Sequence, residues 1–197
     1  MVETTATLKQ KYHHYKNILD KIKREVDSGN LIRLTRGVYE TKRDISPCFL
    51  AQFILSPSYL SFDWALSYYG FIPERVVAVT SASLEVHKNK TFTNDFARFT
   101  YSDVSSKVFS EGLTYIQEGK YIARIATKEK AICDSLSKWR VVHSIKELKI
   151  LMFIDKRIDE DEFLTCDFNE LIRLAKLYQK TNLKLLIHFI KKEHLDE

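Results

Sequence analysis

Between Lys16 and Asp27 the apolar residues Ile18, Leu19, Ile22 and Val26 recur at helical spacing, while Lys16, Lys21, Lys23 and Arg24 occupy the remaining surface. The pattern predicts a short amphipathic helix with one face that packs and one that is basic. Gly29 and Asn30 follow, and both residue types tolerate the left-handed conformation that a helix end often needs. The period then shortens. Leu31 to Leu34 reads as a strand, and Gly37 can supply the positive φ of a tight turn, so Leu31 to Glu40 reads as a hairpin. Its alternation puts Leu34 near Val38 and lets Arg33 and Arg36 project. A basic helix running into such a hairpin is how a winged helix ends. Only about 15 residues precede Lys16, so the module is abbreviated. The segment from Leu8 to Tyr15 supplies at most one short helix, with Tyr12 and Tyr15 packing under the wing.

Pro47 opens a helix to about Leu55, Tyr59-Leu60-Ser61 is extended, and a helix from Phe62 to Tyr69 is expected between Ser61 as N-cap and Gly70 as stop. After Pro73 the texture becomes short β-rich runs: Arg75 to Thr80, Ser83 to His87, Phe96 to Tyr101, Leu113 to Gln117 and Lys120 to Ile125. These predict a mixed sheet. Thr127 caps a helix from Lys128 to about Trp139, with Glu129 where the helix dipole favours an anion. From His143 onward the signal is helical, through Leu148 to Ile154, Phe168 to Tyr178 and Leu183 to His194. The last helix carries Leu183, Leu185, Leu186, Phe189 and Ile190, so it should dock on the body, and it is also the candidate surface for a homodimer. The fold class is α+β: an abbreviated N-terminal winged helix over residues 1–44, a central mixed α/β domain over 45–140 and a helical C-terminal extension over 141–197.

Charge sharpens this picture. The first 44 residues hold 10 Lys/Arg against 6 Asp/Glu, whereas the remaining 153 hold 21 against 20, so almost all of the net charge of +5 lies in the N-terminal element. That imbalance is expected of an element that meets a polyanion. Phosphate contacts are assigned to Lys16, Lys21, Lys23, Arg24, Arg33 and Arg36, with Asn17, Lys21 and Arg24 placed to read base edges and Arg36 to enter a minor groove.

Other chemistries find little footing. No apolar run approaches the ~20 residues that span a bilayer, and the segment beginning Met1-Val2-Glu3 has neither the basic start nor the apolar middle of a signal peptide, which gives the expectation of a cytoplasmic protein with no membrane partner. Cys48, Cys133 and Cys166 lie far apart and read as buried, reduced thiols. The six histidines show no HxxxH or HExxH spacing, and the five glycines form no phosphate loop, so neither metal nor nucleotide cofactor is expected. Glu118-Gly119-Lys120 has the (D/E)xK form of metal-dependent nucleases, with Asp103 upstream, but Gly119 between two β-rich runs reads better as a hairpin turn. Lys130 and Asp134 are i,i+4 neighbours expected to pair on the surface of their helix. Asp159-Glu160-Asp161-Glu162 reads as a solvated turn anchored by Phe163 and Leu164. No catalytic residue is assigned.

Three segments together resemble a known family: Gly29-Asn30-Leu31-Ile32-Arg33-Leu34-Thr35-Arg36-Gly37-Val38-Tyr39; Tyr59-Leu60-Ser61 with Trp64-Ala65-Leu66 and Gly70; and Ala126-Thr127-Lys128-Glu129-Lys130-Ala131-Ile132-Cys133-Asp134. In this order and spacing, over roughly Ile18 to Trp139, the chain resembles the AbiEi-type antitoxins of type IV toxin–antitoxin, or abortive-infection, systems. The resemblance implies a winged-helix repressor of its own operon, fused to a larger domain needed for antitoxin activity. It implies operator DNA as one partner and a nucleotidyltransferase toxin as a functional partner, opposed without a necessary stable complex. A (D/E)xK nuclease and a standalone winged-helix regulator without a toxin are the alternatives.

Overall fold

The structure, a computed structural model, describes residues 1–84 and 86–194. Its N-terminal part is built from β1 (Glu3–Thr4), α1 (Thr5–Lys11), α2 (Ile18–Asp27), β2 (Ile32–Thr35) and β3 (Val38–Glu40). A reciprocal cap starts α1: Thr4 Oγ1 accepts from the Thr7 amide at 3.2 Å and Thr7 Oγ1 accepts from the Thr4 amide at 2.8 Å. The second helix begins at Ile18, two residues later than the basic run suggests, because Asn17 Oδ1 caps the Asp20 amide at 3.2 Å.

The hairpin forms with Gly37 at φ +81°, as the turn requires. Thr35, not Leu34, stands opposite Val38, since a bulge between Arg33 and Thr35 shifts the register. Leu34 is thereby turned inward, where it is 3% exposed. The two-residue β1, which carries no sequence signal, pairs antiparallel with β3 and gives a three-stranded sheet of order β1-β3-β2.

The body follows: a 3₁₀ turn Pro47–Leu50 running into α3 (Ala51–Ile54), then β4 (Ser58–Leu60), α4 (Phe62–Tyr68), β5 (Val79–Leu84), β6 (Lys90–Thr93), β7 (Arg98–Val104), α5 (Ser106–Phe109), β8 (Leu113–Glu118), β9 (Tyr121–Ala126) and α6 (Lys128–Lys138). Six strands make the expected mixed sheet, in the order β6-β7-β5-β4-β9-β8. The pairs β5–β7 and β4–β9 are parallel, and the others are antiparallel. The runs Arg75 to Thr80 and Ser83 to His87, expected as two strands, contribute to the single strand β5; Pro73 and the loop after it delay its start to Val79, and Glu85 lies outside the described residues. β5 lies inside the sheet between β7 and β4, and its Val79, Ser81, Ala82 and Ser83 are buried on both faces, as a central strand requires.

Four further helices follow among the described residues: α7 (Ile145–Lys149), continued by a π-helical turn Ile150–Asp155, then α8 (Glu160–Leu164), α9 (Phe168–Tyr178) and α10 (Thr181–Glu193). The acidic cluster is the first turn of α8 rather than an irregular turn, because Asp159 accepts the Glu162 amide at 2.8 Å and the acidic residues sit at the positive end of the helix dipole. Phe163 anchors it at 1% exposure, but Leu164 points outward at 52%.

Helix α6 packs against α4, α9 and α10. One core runs from Leu34 through Phe49, Phe99, Ile125 and Leu136 to Ile190, so the C-terminal helices and the sheet share their apolar interior. The apolar face of α10 packs inside this core, with Leu183, Leu186, Phe189 and Ile190 buried, so those residues serve the body. A separate small cluster of Leu8, Ile22, Leu31 and Tyr39 holds the N-terminal elements together.

Candidate nucleic-acid interface

The N-terminal elements place α1 and α2 in succession and the hairpin directly behind α2. On α2, Ile18, Ile22 and Val26 lie one turn apart and form the inner stripe against Leu8 and Tyr39. Leu19, expected on that stripe, is instead 62% exposed, one residue off the i,i+4 row and in line with Lys23. Tyr12 packs on the small cluster, whereas Tyr15 stays outside it, edge-on to Tyr12 at 5.9 Å.

The seven predicted contact residues divide by their partners. Lys16, Lys23 and Arg36 are exposed and make no ion pair among the described residues. Arg33 is exposed on the opposite face of β2 from Leu34, its guanidinium 5.9 Å from the Tyr39 ring. Arg24 pairs with Asp20 at 2.9 Å, and Lys21 pairs with Glu25 while lying 5.1 Å from the Tyr15 ring. The Glu25 hydrogen bond holds the Lys21 ammonium above its ordinary pKa, and the same bond, joined by one from Asn30, holds the Glu25 carboxyl below its own. Asn17 accepts the Asp20 amide through Oδ1 as the helix cap, so a base contact from this residue competes with the cap or uses its NH₂. Two cations not singled out from sequence, Lys42 and Arg43, are exposed just after the wing; Arg43 lies against the α2 end, where a Cβ at Gly29 would meet its guanidinium at 3.2 Å.

A second constellation lies inside the body. Asp134 accepts from Tyr59 Oη at 2.9 Å and Ser61 Oγ at 2.7 Å through one oxygen, and from Tyr178 Oη at 2.6 Å through the other. Lys130 Nζ donates to the Val108 carbonyl at 2.8 Å and to Tyr178 Oη at 2.5 Å, and stands 3.2 Å from Asp134. Both charged side chains are 0% exposed. The pair expected on the surface is therefore buried, because α6 is covered by α4, α9 and α10 rather than presenting a solvated face. Burial, and after it the Asp134 charge, pushes the Tyr59 and Tyr178 hydroxyls far above the ordinary tyrosine range. Ser61 sits at the N-cap position of α4, yet its hydroxyl serves Asp134 and makes no cap. With both charges buried and hydrogen-bonded, this cluster is a satisfied polar core.

Glu118 and Tyr121 pair across the turn of the β8–β9 hairpin with Gly119 at positive φ, as expected of a turn. Asp103 is on β7, near the opposite edge of the sheet, where its carboxylate accepts the Val86 amide at 2.9 Å. The three (D/E)xK residues do not converge. Among the described residues no group of three or more His, Cys, Asp or Glu is placed to hold a metal ion, and no helix is long and apolar enough to cross a membrane. Cys48, Cys133 and Cys166 are buried thiols whose desolvation raises each pKa, that of Cys166 to about 12.

Neither a family model nor a curated protein sequence matches the chain.

Proposed function

We propose that the chain is a DNA-binding regulator of the AbiEi antitoxin type, in which the N-terminal module is an abbreviated winged helix that holds operator DNA and represses its own operon. The observation that carries this reading is the order of parts: strand, helix, helix, then a hairpin whose second strand takes the central place in the sheet order β1-β3-β2. In a helix-turn-helix the second helix enters the major groove, and here that helix is the basic α2. Its outer face offers Lys23 and the turn ahead of it offers Lys16, while the wing offers Arg33 and Arg36. Lys21 and Arg24 share their charge with Glu25 and Asp20, so in this reading the uncommitted cations bear most of the salt-dependent binding.

The antitoxin part of the reading is supported by a convergence. Tyr59 and Ser61 belong to one of the segments that carry the family resemblance, and Lys130 and Asp134 belong to another; the four share one buried network. In this reading the body counters a nucleotidyltransferase toxin encoded beside it; finding a nucleotidyltransferase in the neighbouring reading frame would support it over a standalone regulator, and its absence would favour the latter.

The test is a gel-shift titration on the chain's own upstream DNA and on unrelated DNA of equal length, at about 50 and 200 mM salt. Tight binding with a steep salt slope and a preference of about 10³-fold for the upstream DNA is expected. The Lys23→Ala/Arg24→Ala/Arg36→Ala variant should lose most of that affinity on both DNAs. Equal binding by the triple variant would overturn the assignment of this surface.

A further inference from the structure

We propose that the body carries a binding site for a nucleoside phosphate, at a cavity of about 560 Å³ between α4 and the segment that leads into β5. Its wall is formed by Pro47, Trp64, Tyr68, Arg75, Val77 and Val79 among others, and among the described residues Arg75 is the one charged side chain in it. The size lies within the range of small-molecule sites.

Three properties of the wall select the ligand. Trp64 and Tyr68, one helical turn apart on α4, stack on each other at 5.6 Å with their planes 13° apart, which holds two near-parallel rings in a fixed orientation at the cavity. Tyr68 is 53% exposed and Val77 88% exposed, so apolar surface at this rim is left uncovered by the chain itself. Unlike Tyr59, Tyr69, Tyr101, Tyr121 and Tyr178, whose hydroxyls are all bonded within the protein, Tyr68 Oη has no hydrogen-bond partner among the described residues. The same holds for the Trp64 indole N–H and the Arg75 guanidinium. The carboxylate next to Arg75 in sequence, Glu74, is already paired with Arg157, and Asp63 on α4 does not line the cavity.

Among the described residues the site thus offers ring faces, hydrogen-bond donors and a planar cation without an ion-pair partner, and no carboxylate lines its wall. A planar base stacks on aromatic rings, and a guanidinium matches the oxygens of a phosphate. A nucleobase carrying a phosphate satisfies all three features at once, either as a free nucleotide or as the phosphorylated end of a single strand. The site is built from other residues than the basic helix and wing, so it stands or falls independently of operator binding.

Trp64 reports on the site directly. In a Trp139→Phe background it is the sole tryptophan, and its fluorescence is titrated with adenosine 5′-monophosphate, adenosine, inorganic phosphate and a short 5′-phosphorylated oligonucleotide. Saturable quenching by the monophosphate at millimolar concentration or below is expected, with adenosine at least about tenfold weaker. Arg75→Gln should weaken the monophosphate about tenfold or more, and Tyr68→Ala should weaken monophosphate and adenosine alike. Tighter binding of the oligonucleotide than of the monophosphate assigns the site to a strand end, and the reverse assigns it to a free nucleotide. Equilibrium dialysis of the labelled monophosphate against the unsubstituted chain gives the same answer without the Trp139→Phe change. Absence of saturable binding by both phosphorylated ligands, or affinity unchanged in Arg75→Gln, overturns the proposal.

Discussion

Gly112 shows how much one position can carry. It sits at φ +59°, and a Cβ there would meet Leu174 Cδ1 and Lys130 Cβ, each at 3.0 Å. Either the backbone must leave the left-handed region, or α9 and the buried lysine of α6 must move. Gly112→Ala is therefore expected to destabilise the protein by about 1–3 kcal/mol, read as a lowered urea midpoint at unchanged slope. A loss below about 0.5 kcal/mol would mean that both neighbours give way freely. The sequence marks Gly112 as a turn residue, and only the packing of Leu174, 62 positions away, makes it a close-approach residue as well. Phe62, at φ +56° immediately after Ser61, has no sequence signal for its conformation.

Among the elements, α6 is the one whose setting departs most from its pattern. Its span and its Thr127 cap follow the expectation, since Thr127 Oγ1 accepts the Lys130 amide at 3.3 Å. Its polar residues do not face water: Lys130, Asp134 and Ser135 are all buried. Lys130 and Asp134 join α6 to β4 through Tyr59, to the start of α4 through Ser61, to α5 through Val108 and to α9 through Tyr178. Removing one charge of such a pair leaves the other buried and uncompensated, a loss of about 3–5 kcal/mol. Lys130→Met should cost this much in chemical denaturation, and Lys130→Met/Asp134→Asn should recover part of it, because the amide oxygen still accepts from Tyr59 and Ser61 and its NH₂ can donate to Tyr178 Oη, which Lys130 has vacated. Costs in the single variant no larger than in the double would mean that the charge pairing contributes nothing.

Across the molecule, the N-terminal module is tied to the body at a few defined points. Leu34 enters the main core, Asn94 Nδ2 donates to the Leu34 carbonyl at 3.0 Å, and Tyr121 Oη donates to Glu40 Oε2 at 3.1 Å. Glu40 is fully buried at the end of β3 and also accepts the Thr41 and Lys42 amides at 2.7 and 3.1 Å. Burial raises its pKa, but bonds from the N-terminal ammonium and from those two amides outweigh it and hold the carboxyl below its ordinary value of 4.5. A carboxylate with a lowered folded-state pKa stabilises the fold above about pH 4.5, and this contribution is lost as the pH falls from there through the folded value. Thermal melts of the native chain should accordingly fall across that acid window. Glu40→Gln should be less stable at pH 7 and should fall less on acidification. Parallel acid limbs for the two proteins would mean that Glu40 is not the group responsible.

Periodicity, caps and turn residues by themselves determined where most elements lie: the α2 helix, the Gly37 hairpin, the Thr127-capped helix and the apolar final helix are local features written within a few residues of each other. The charge imbalance that makes the N-terminal module a nucleic-acid candidate is equally a property of composition. Tertiary structure alone decided the rest. Ion pairing within α2 divides the predicted contacts into committed and free cations, a bulge turns Leu34 inward, and the covering of α6 converts an i,i+4 surface pair into a buried network. The cavity beside Trp64 and Tyr68 also arises only when α4 meets the chain before β5. Burial and convergence are set by which faces meet across long sequence separations, and a local pattern fixes which residues share a face but not what covers it.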